Sequence, residues 1–198
     1  MHSLDYFPHA VSPLYSSKRI SPEEFEMLCR EQPDLQAELE TDGRVKFMSP
    51  VGGTSGNREN QFNADLTYYE RAQGGKSFSS STGFKLPDGS IRSPDSAYLT
   101  DQQLSTLSSK QLSKLVPAVP VFVIEVLSSS DSLKELEAKM RDTWIANGVR
   151  LAWLADVDND RLWIYRADRS VELVTPLNRT ITGEDVLPGF TFDLNLLS

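Results

Sequence analysis

Residues 119–127, VPVFVIEVL, form the most apolar run in the chain, rich in β-branched side chains and interrupted by Pro120 and one charge, Glu125. A run of this length and composition fits a strand covered on both faces, which places it at the centre of a sheet with other layers on either side. By the period of two, Glu125 shares a face with Val121, Val123 and Leu127. An unpaired carboxylate there would cost several kcal/mol, so the position demands a neighbouring cation, a metal ion or a retained proton. The run alone leaves all three open.

Punctuation along the rest of the chain supplies the other layers. Residues 1–20, with Pro8 and Pro13 and no apolar period, read as an N-terminal arm, and residues 21–198 as one domain of a 198-residue chain, large enough to bury its own core. Ser21-Pro22-Glu23-Glu24 carries the marks of a helix start: a capping serine, proline at the first helical position and glutamate three residues after the cap. Residues 35–48 read as strand, turn and strand around Asp42-Gly43, and residues 54–72 as a long helix ended by Gly74-Gly75. Residues 77–86 and 91–99 flank Pro87-Asp88-Gly89 as a hairpin, and residues 101–115 form a polar helical excursion. Residues 132–147 carry Leu133, Leu136, Met140 and Trp144 at helical spacing, followed by strands at 150–155, 161–166 and 171–174. Strand, helix and strand from 119 to 155 have the length of a βαβ unit, its second strand of either direction.

Charge and residue counts remove several functions. Twenty Lys+Arg against 28 Asp+Glu give a net charge of -8, which disfavours coating of duplex nucleic acid by phosphate neutralisation. Cys29 is the single cysteine, and His2 and His9 are the only histidines, so disulfides, cysteine zinc sites and histidine-based triads are poor readings. No apolar run approaches the ~20 residues of a membrane span, and the start lacks the layout of a signal peptide, so a cytoplasmic location is expected. The glycine-rich loop from Ser49 to Asn57 lacks GxxxxGKS and GxGxxG, which leaves nucleotide binding with little support.

Carboxylates are therefore the candidates for chemistry. Asp95 follows Pro94 inside a strand, on the same face as Ile91, Ala97 and Leu99, and the proline implies an edge or bulge that re-aims the side chain. Two carboxylates at the ends of neighbouring strands, Asp95 and Glu125, suit Mg²⁺, which needs only one or two and keeps its waters. Lys139 falls about 90° from the centre of the apolar stripe of its helix, with its stem half-buried and its amine reaching toward the strand ends, or else pairs with Glu135 one turn back. Glu38, in LQAELE, reads as part of an exposed acidic edge with Glu40 and Asp42. Lys76, Lys85, Arg92 and Arg141 are basic positions near these elements and candidates for phosphate contacts.

Arg92-Ser93-Pro94-Asp95, Phe122 through Ser128, Lys134 through Met140, and Gly148 through Leu154 with Asp156, taken in order, resemble the Uma family of restriction endonucleases within the PD-(D/E)XK nuclease superfamily. The likeness runs from about Ser21 to the end and includes Gly52-Gly53, Gly56-Asn57 and residues 183–190. It implies an α/β, restriction-endonuclease-like single domain with a central mixed sheet flanked by helices, and a site for Mg²⁺ or Mn²⁺ where two central strands diverge. It carries the metal-binding acids onto Asp95 and Glu125. The lysine usually found two residues after the second acid would fall at Leu127, and the resemblance moves it to Lys139 in the following helix. Glu38 matches an acid that could complete the shell. The function implied is metal-dependent hydrolysis of phosphodiester bonds in nucleic acid, with DNA as the expected partner and a homodimer left open. A nuclease fold kept as a silent binding or regulatory module, and a two-carboxylate hydrolase acting on another substrate, stand as alternatives.

Overall fold

The computed structural model describes residues 14–129 and 131–198; His2, His9, Pro8 and Pro13 lie outside the described residues. The expected arm is corrected over residues 14–19. Leu14–Arg19 form strand β1, which pairs antiparallel with another strand. An edge strand needs one neighbour only, and the polar run Ser16-Ser17-Lys18-Arg19 gives it no apolar alternation by which to be recognised.

After β1 come α1 (Pro22–Glu31), β2 (Ala37–Leu39), β3 (Arg44–Phe47), α2 (Gly53–Gln73), β4 (Lys76–Ser79), β5 (Phe84–Lys85), β6 (Ile91–Arg92) and β7 (Ser96–Leu99). The excursion is two short helices, α3 (Asp101–Ser105) and α4 (Ser109–Leu112), begun by capping boxes at Thr100 and Ser108. There follow β8 (Phe122–Val126), α5 (Leu133–Ala138), β9 (Leu151–Asp156), β10 (Arg161–Arg166), β11 (Val171–Val174), β12 (Thr180–Gly183) and β13 (Leu187–Asp193). No helix among the described residues is long and apolar enough to cross a membrane.

Six strands form the main sheet in the order β11-β10-β9-β8-β7-β4, five form a second sheet in the order β1-β3-β2-β6-β5, and β12 pairs with β13. The apolar run is the buried inner strand β8, parallel to β9 and antiparallel to β7. Its alternate residues serve two layers. Phe122, Ile124 and Val126 pack with Phe62 and Leu66 of α2 and with Trp153, Phe190 and Phe192. Val123 packs on the other side with Met140, Trp144, Ala152 and Leu154, and Glu125 belongs to that face.

The single hairpin expected from residues 77–99 is shared between the sheets. Its base, β4 with β7, lies in the main sheet, while its tip, β5 with β6, joins the second sheet through Leu39 opposite Ile91. The strands change sheets on either side of the tip, and Pro94, which has no N–H to give a ladder, stands at one of the two crossings. Asp95 is the next residue.

Candidate active site

The register of β7 against β8 sets Ser96 opposite Ile124 and Ala97 opposite Val123. Continued by one residue, it sets Asp95 opposite Glu125. Because β7 turns away at Pro94, the N–H of Val126 finds a side chain in place of a backbone carbonyl: Asp95 Oδ2 accepts it at 2.6 Å. The amide of Asn63 in α2 donates to the Asp95 carbonyl at 3.1 Å and ties the crossing to the helix layer.

Glu125 Oε1 accepts from Trp144 Nε1 at 2.7 Å and lies 2.8 Å from Lys139 Nζ. Residues five apart meet at one oxygen because the helix changes its winding: α5 runs on as a π-helix over Lys139–Ile145. Bonding from i to i+5 brings positions 139 and 144 toward the same side, whereas 100° per residue would keep them well apart. The amine of Lys139 thus lies at the end of β8, beside Glu125. It also reaches Glu38 Oε1 at 3.0 Å, and Glu135, the alternative partner, is not among its contacts.

Glu38 is buried, not part of an exposed edge. Arg92 Nη1 donates to its Oε2 at 3.2 Å and the N–H of Ser93 to its Oε1 at 2.9 Å, while Arg92 also grips Glu40 at 2.8 and 2.6 Å. With three hydrogen bonds on its two oxygens, Glu38 anchors the amine of Lys139. Burial alone would raise its pKa; Lys139, Arg92 and the Ser93 amide overcome that and hold it down to about 2. Lys139 shows the converse balance, since burial opposes its charge but Glu125 and Glu38 hold its pKa above the usual lysine range.

Asp95 and Glu125 are displaced from the ordinary carboxylate value in the opposite direction to Glu38. Burial, then the charges of Glu125 and Glu59, raise Asp95 well above the usual carboxylate range. Burial and the charge of Glu38 raise Glu125 against the pull of Lys139. Each keeps one oxygen, Asp95 Oδ1 and Glu125 Oε2, that accepts no hydrogen bond among the described residues. Neither is among the sealed, unpartnered atoms, which are Arg92 Nε, Ser96 Oγ, Trp153 Nε1 and Arg161 Nε. Two repelling carboxylates with an open oxygen each are a donor set that a hard divalent cation fits. No group of three or more His, Cys, Asp or Glu side chains able to hold a metal gathers among the described residues, so water would fill the remaining positions.

Arg92 is corrected as a phosphate contact, being buried and committed to Glu38 and Glu40, and Lys85 is paired with Glu26. Lys76 lies exposed on β4, and Arg141 lines a separate cavity with Tyr165 and Arg169. Two contributors carried no sequence signal of their own. Trp144 reads only as a core residue until its indole N–H is seen on Glu125. Glu59 of α2, raised by burial and by the charges of Glu125 and Asp131, extends the acidic field around the site.

Residues 22–196 match the Uma2 family, described as "Putative restriction endonuclease". The chain belongs to this family. The Uma2 match covers the site residues and all elements but β1, and it places the chain in a nuclease family. A crystal structure from Anabaena variabilis ATCC 29413, of a "putative nuclease belonging to DUF820", superposes with a TM-score of 0.74 at 15% identity, covering 90% of this chain and 97% of that one. At that identity the likeness shows the shared fold. The curated proteins contain no match.

Proposed function

We propose that this Uma2 chain is a metal-dependent endonuclease that hydrolyses phosphodiester bonds in DNA, with Asp95 and Glu125 as ligands to Mg²⁺ or Mn²⁺ and Lys139 as the catalytic cation. The observation that carries the reading is the amine of Lys139 at 2.8 Å from Glu125, although the usual position for it holds Leu127. When bound, the ion would polarise a phosphoryl oxygen and acidify a water. Lys139 has three N–H donors, and two are spent on Glu38 and Glu125. The third can face a phosphoryl oxygen or the attacking water and stabilise the developing negative charge. Its raised pKa keeps it protonated, so it acts as a donor and not as the general base. Asp95, fixed by the Val126 N–H, and Glu125, fixed by Trp144 and Lys139, need no reorganisation to present their open oxygens.

The engagement of Lys139 by two carboxylates also favours a second reading, a silent module in which the amine only neutralises buried acids. Cleavage of supercoiled plasmid and of single-stranded DNA, dependent on Mg²⁺ or Mn²⁺ and stopped by a chelator, separates the two. Cleavage that survives chelation, or that Lys139→Met leaves at wild-type rate, would remove the mechanism; no cleavage of any DNA or RNA would favour the silent module.

The raised carboxylates predict a pH signature independent of turnover. Protonated Asp95 and Glu125 compete with metal at acid pH, so affinity should rise with pH from the ordinary carboxylate range upward. At a hundred times Kd a bound cation stabilises by ~2.7 kcal/mol. Ca²⁺ or Mg²⁺ should accordingly raise the thermal midpoint by roughly 5–10 °C near pH 8 and by much less at pH 5. An equal shift at both values, or the same shift in Asp95→Asn, would exclude these ligands.

A further inference from the structure

One row of side chains crosses the second sheet. Tyr15 of β1 stands opposite Lys46 of β3, and Lys46 opposite Glu38 of β2. Leu39 opposite Ile91 sets Glu38 beside Arg92 of β6, and the two form an ion pair at 3.2 Å. Directly opposed residues share a face, so the four stand in line on one side of the sheet. All four line a cavity of about 330 Å³, whose other wall is the helix that carries Lys139.

The members of the row differ in what holds them. Arg92 and Glu38 are committed to ion pairs inside the site. Lys46 is half-buried and makes no hydrogen bond or ion pair among the described residues, so its charge is uncommitted there. Tyr15 is backed on one ring face by the guanidinium of Arg44, 4.6 Å from the ring centre, which Asp42 holds at 2.8 Å. A strand spacing of ~4.8 Å sets Lys46 one step, and Tyr15 two steps, from the Glu38 that touches the catalytic cation. An unpaired cation followed by a braced aromatic ring is the combination that tracks a single nucleic-acid strand: charge for a phosphate, ring face for a base. The cavity lies at the small end of ligand pockets, the scale of a nucleotide unit; Glu38 and Glu40 in its lining are paired with Arg92 and Lys139, whereas Asp131, Glu135 and Asp142 on the wall opposite the sheet would repel a second phosphate backbone.

We infer that this row holds a single-stranded segment of the substrate, with Lys46 on the phosphate next to the scissile one and Tyr15 stacked on the base beyond it. The inference rests on the nuclease reading and adds the form of nucleic acid that the site takes. The test is fluorescence anisotropy of the full chain in Ca²⁺, with a labelled oligothymidylate and a labelled hairpin duplex as probes. The single strand should bind about 10-fold tighter than the duplex, and Tyr15→Ala should weaken it about 10-fold while Tyr15→Phe keeps most of the affinity. Lys46→Met should reduce the slope of log affinity against log salt by about 0.7, and Lys110→Met, on exposed α4, should not. Should Tyr15→Ala fail to fold, photo-crosslinking of a bromouracil-substituted strand to wild-type Tyr15, located by mass spectrometry, makes the same decision. Equal binding of both probes with no effect of the Tyr15 and Lys46 variants, in a protein that still cleaves DNA, would overturn the inference and leave the nuclease reading intact. Failure to bind either probe together with failure to cleave would overturn both.

Discussion

Asp95→Asn should lower metal-dependent cleavage by ~10³-fold or more while making the protein harder to melt. The two effects share one cause. At neutral pH an ionised Asp95 is opposed by burial and by the charges of Glu125 and Glu59, so its pKa is raised in the fold. A carboxylate with a raised folded pKa takes stability away as pH climbs through that value. Asparagine removes the charge, keeps an oxygen for the Val126 N–H, and places an amide where the open oxygen stood. A gain of ~1 kcal/mol is the usual scale for relieving a functional site, or about 2–4 °C at this chain length. The gain should shrink toward acid pH, where the wild-type carboxyl takes up its proton. Thermal melts between pH 5 and pH 8 beside plasmid cleavage give both numbers. A variant that cleaves normally, or that melts well below wild type at pH 8, would show that Asp95 is structural.

Lys139→Met should lose turnover and stability together. Its amine is the cation between two buried carboxylates, and breaking such a group from one side costs ~3–5 kcal/mol. The pH dependence identifies the partner. Glu38 falls from its ordinary 4.5 to about 2 in the fold, so the stability it gains is fully present above 4.5 and is lost as pH falls toward 2. That interval corresponds to about 3 kcal/mol, part of which Arg92 supplies. The gap in thermal midpoint between wild type and variant should therefore be roughly 10 °C near pH 7 and close across that window. A gap that stays constant through pH 3 would mean that lost packing, not lost charge, destabilises the variant. Lys139→Arg should recover stability in part, though its planar fork cannot reproduce an ammonium between two oxygens.

The carboxylates were legible because their strands are simple. A β-branched run with one acid in it states that the acid is buried, and a period of two states which face it takes. Asp95 needed Pro94 as a second clue. The partner of Glu125 was legible from the residues alone only as a class, since Leu127 occupies the usual place and π-helical winding leaves no mark in composition; it was the resemblance that named Lys139. Glu38 was misread as exposed because its burial depends on Arg92 and Lys139, which are distant in sequence and meet it only after the sheets are arranged. The same holds for β1, whose one-sided pairing gives it no pattern, and for the hairpin, whose turn predicts pairing at its tip but not a change of sheet halfway along.

The bridge from Glu38 through Lys139 to Glu125 also bears on the order of assembly. Glu125 and Lys139 belong to one strand-helix-strand unit and can meet after closure of a short loop. Glu38 and Lys139 are 101 residues apart, and their contact awaits docking of one sheet against the other. Asp95 reaches Glu125 only when β7 has paired with β8. A partly folded chain that lacks either docking step lacks part of the constellation, so the two carboxylates and the amine stand together only once both steps are complete.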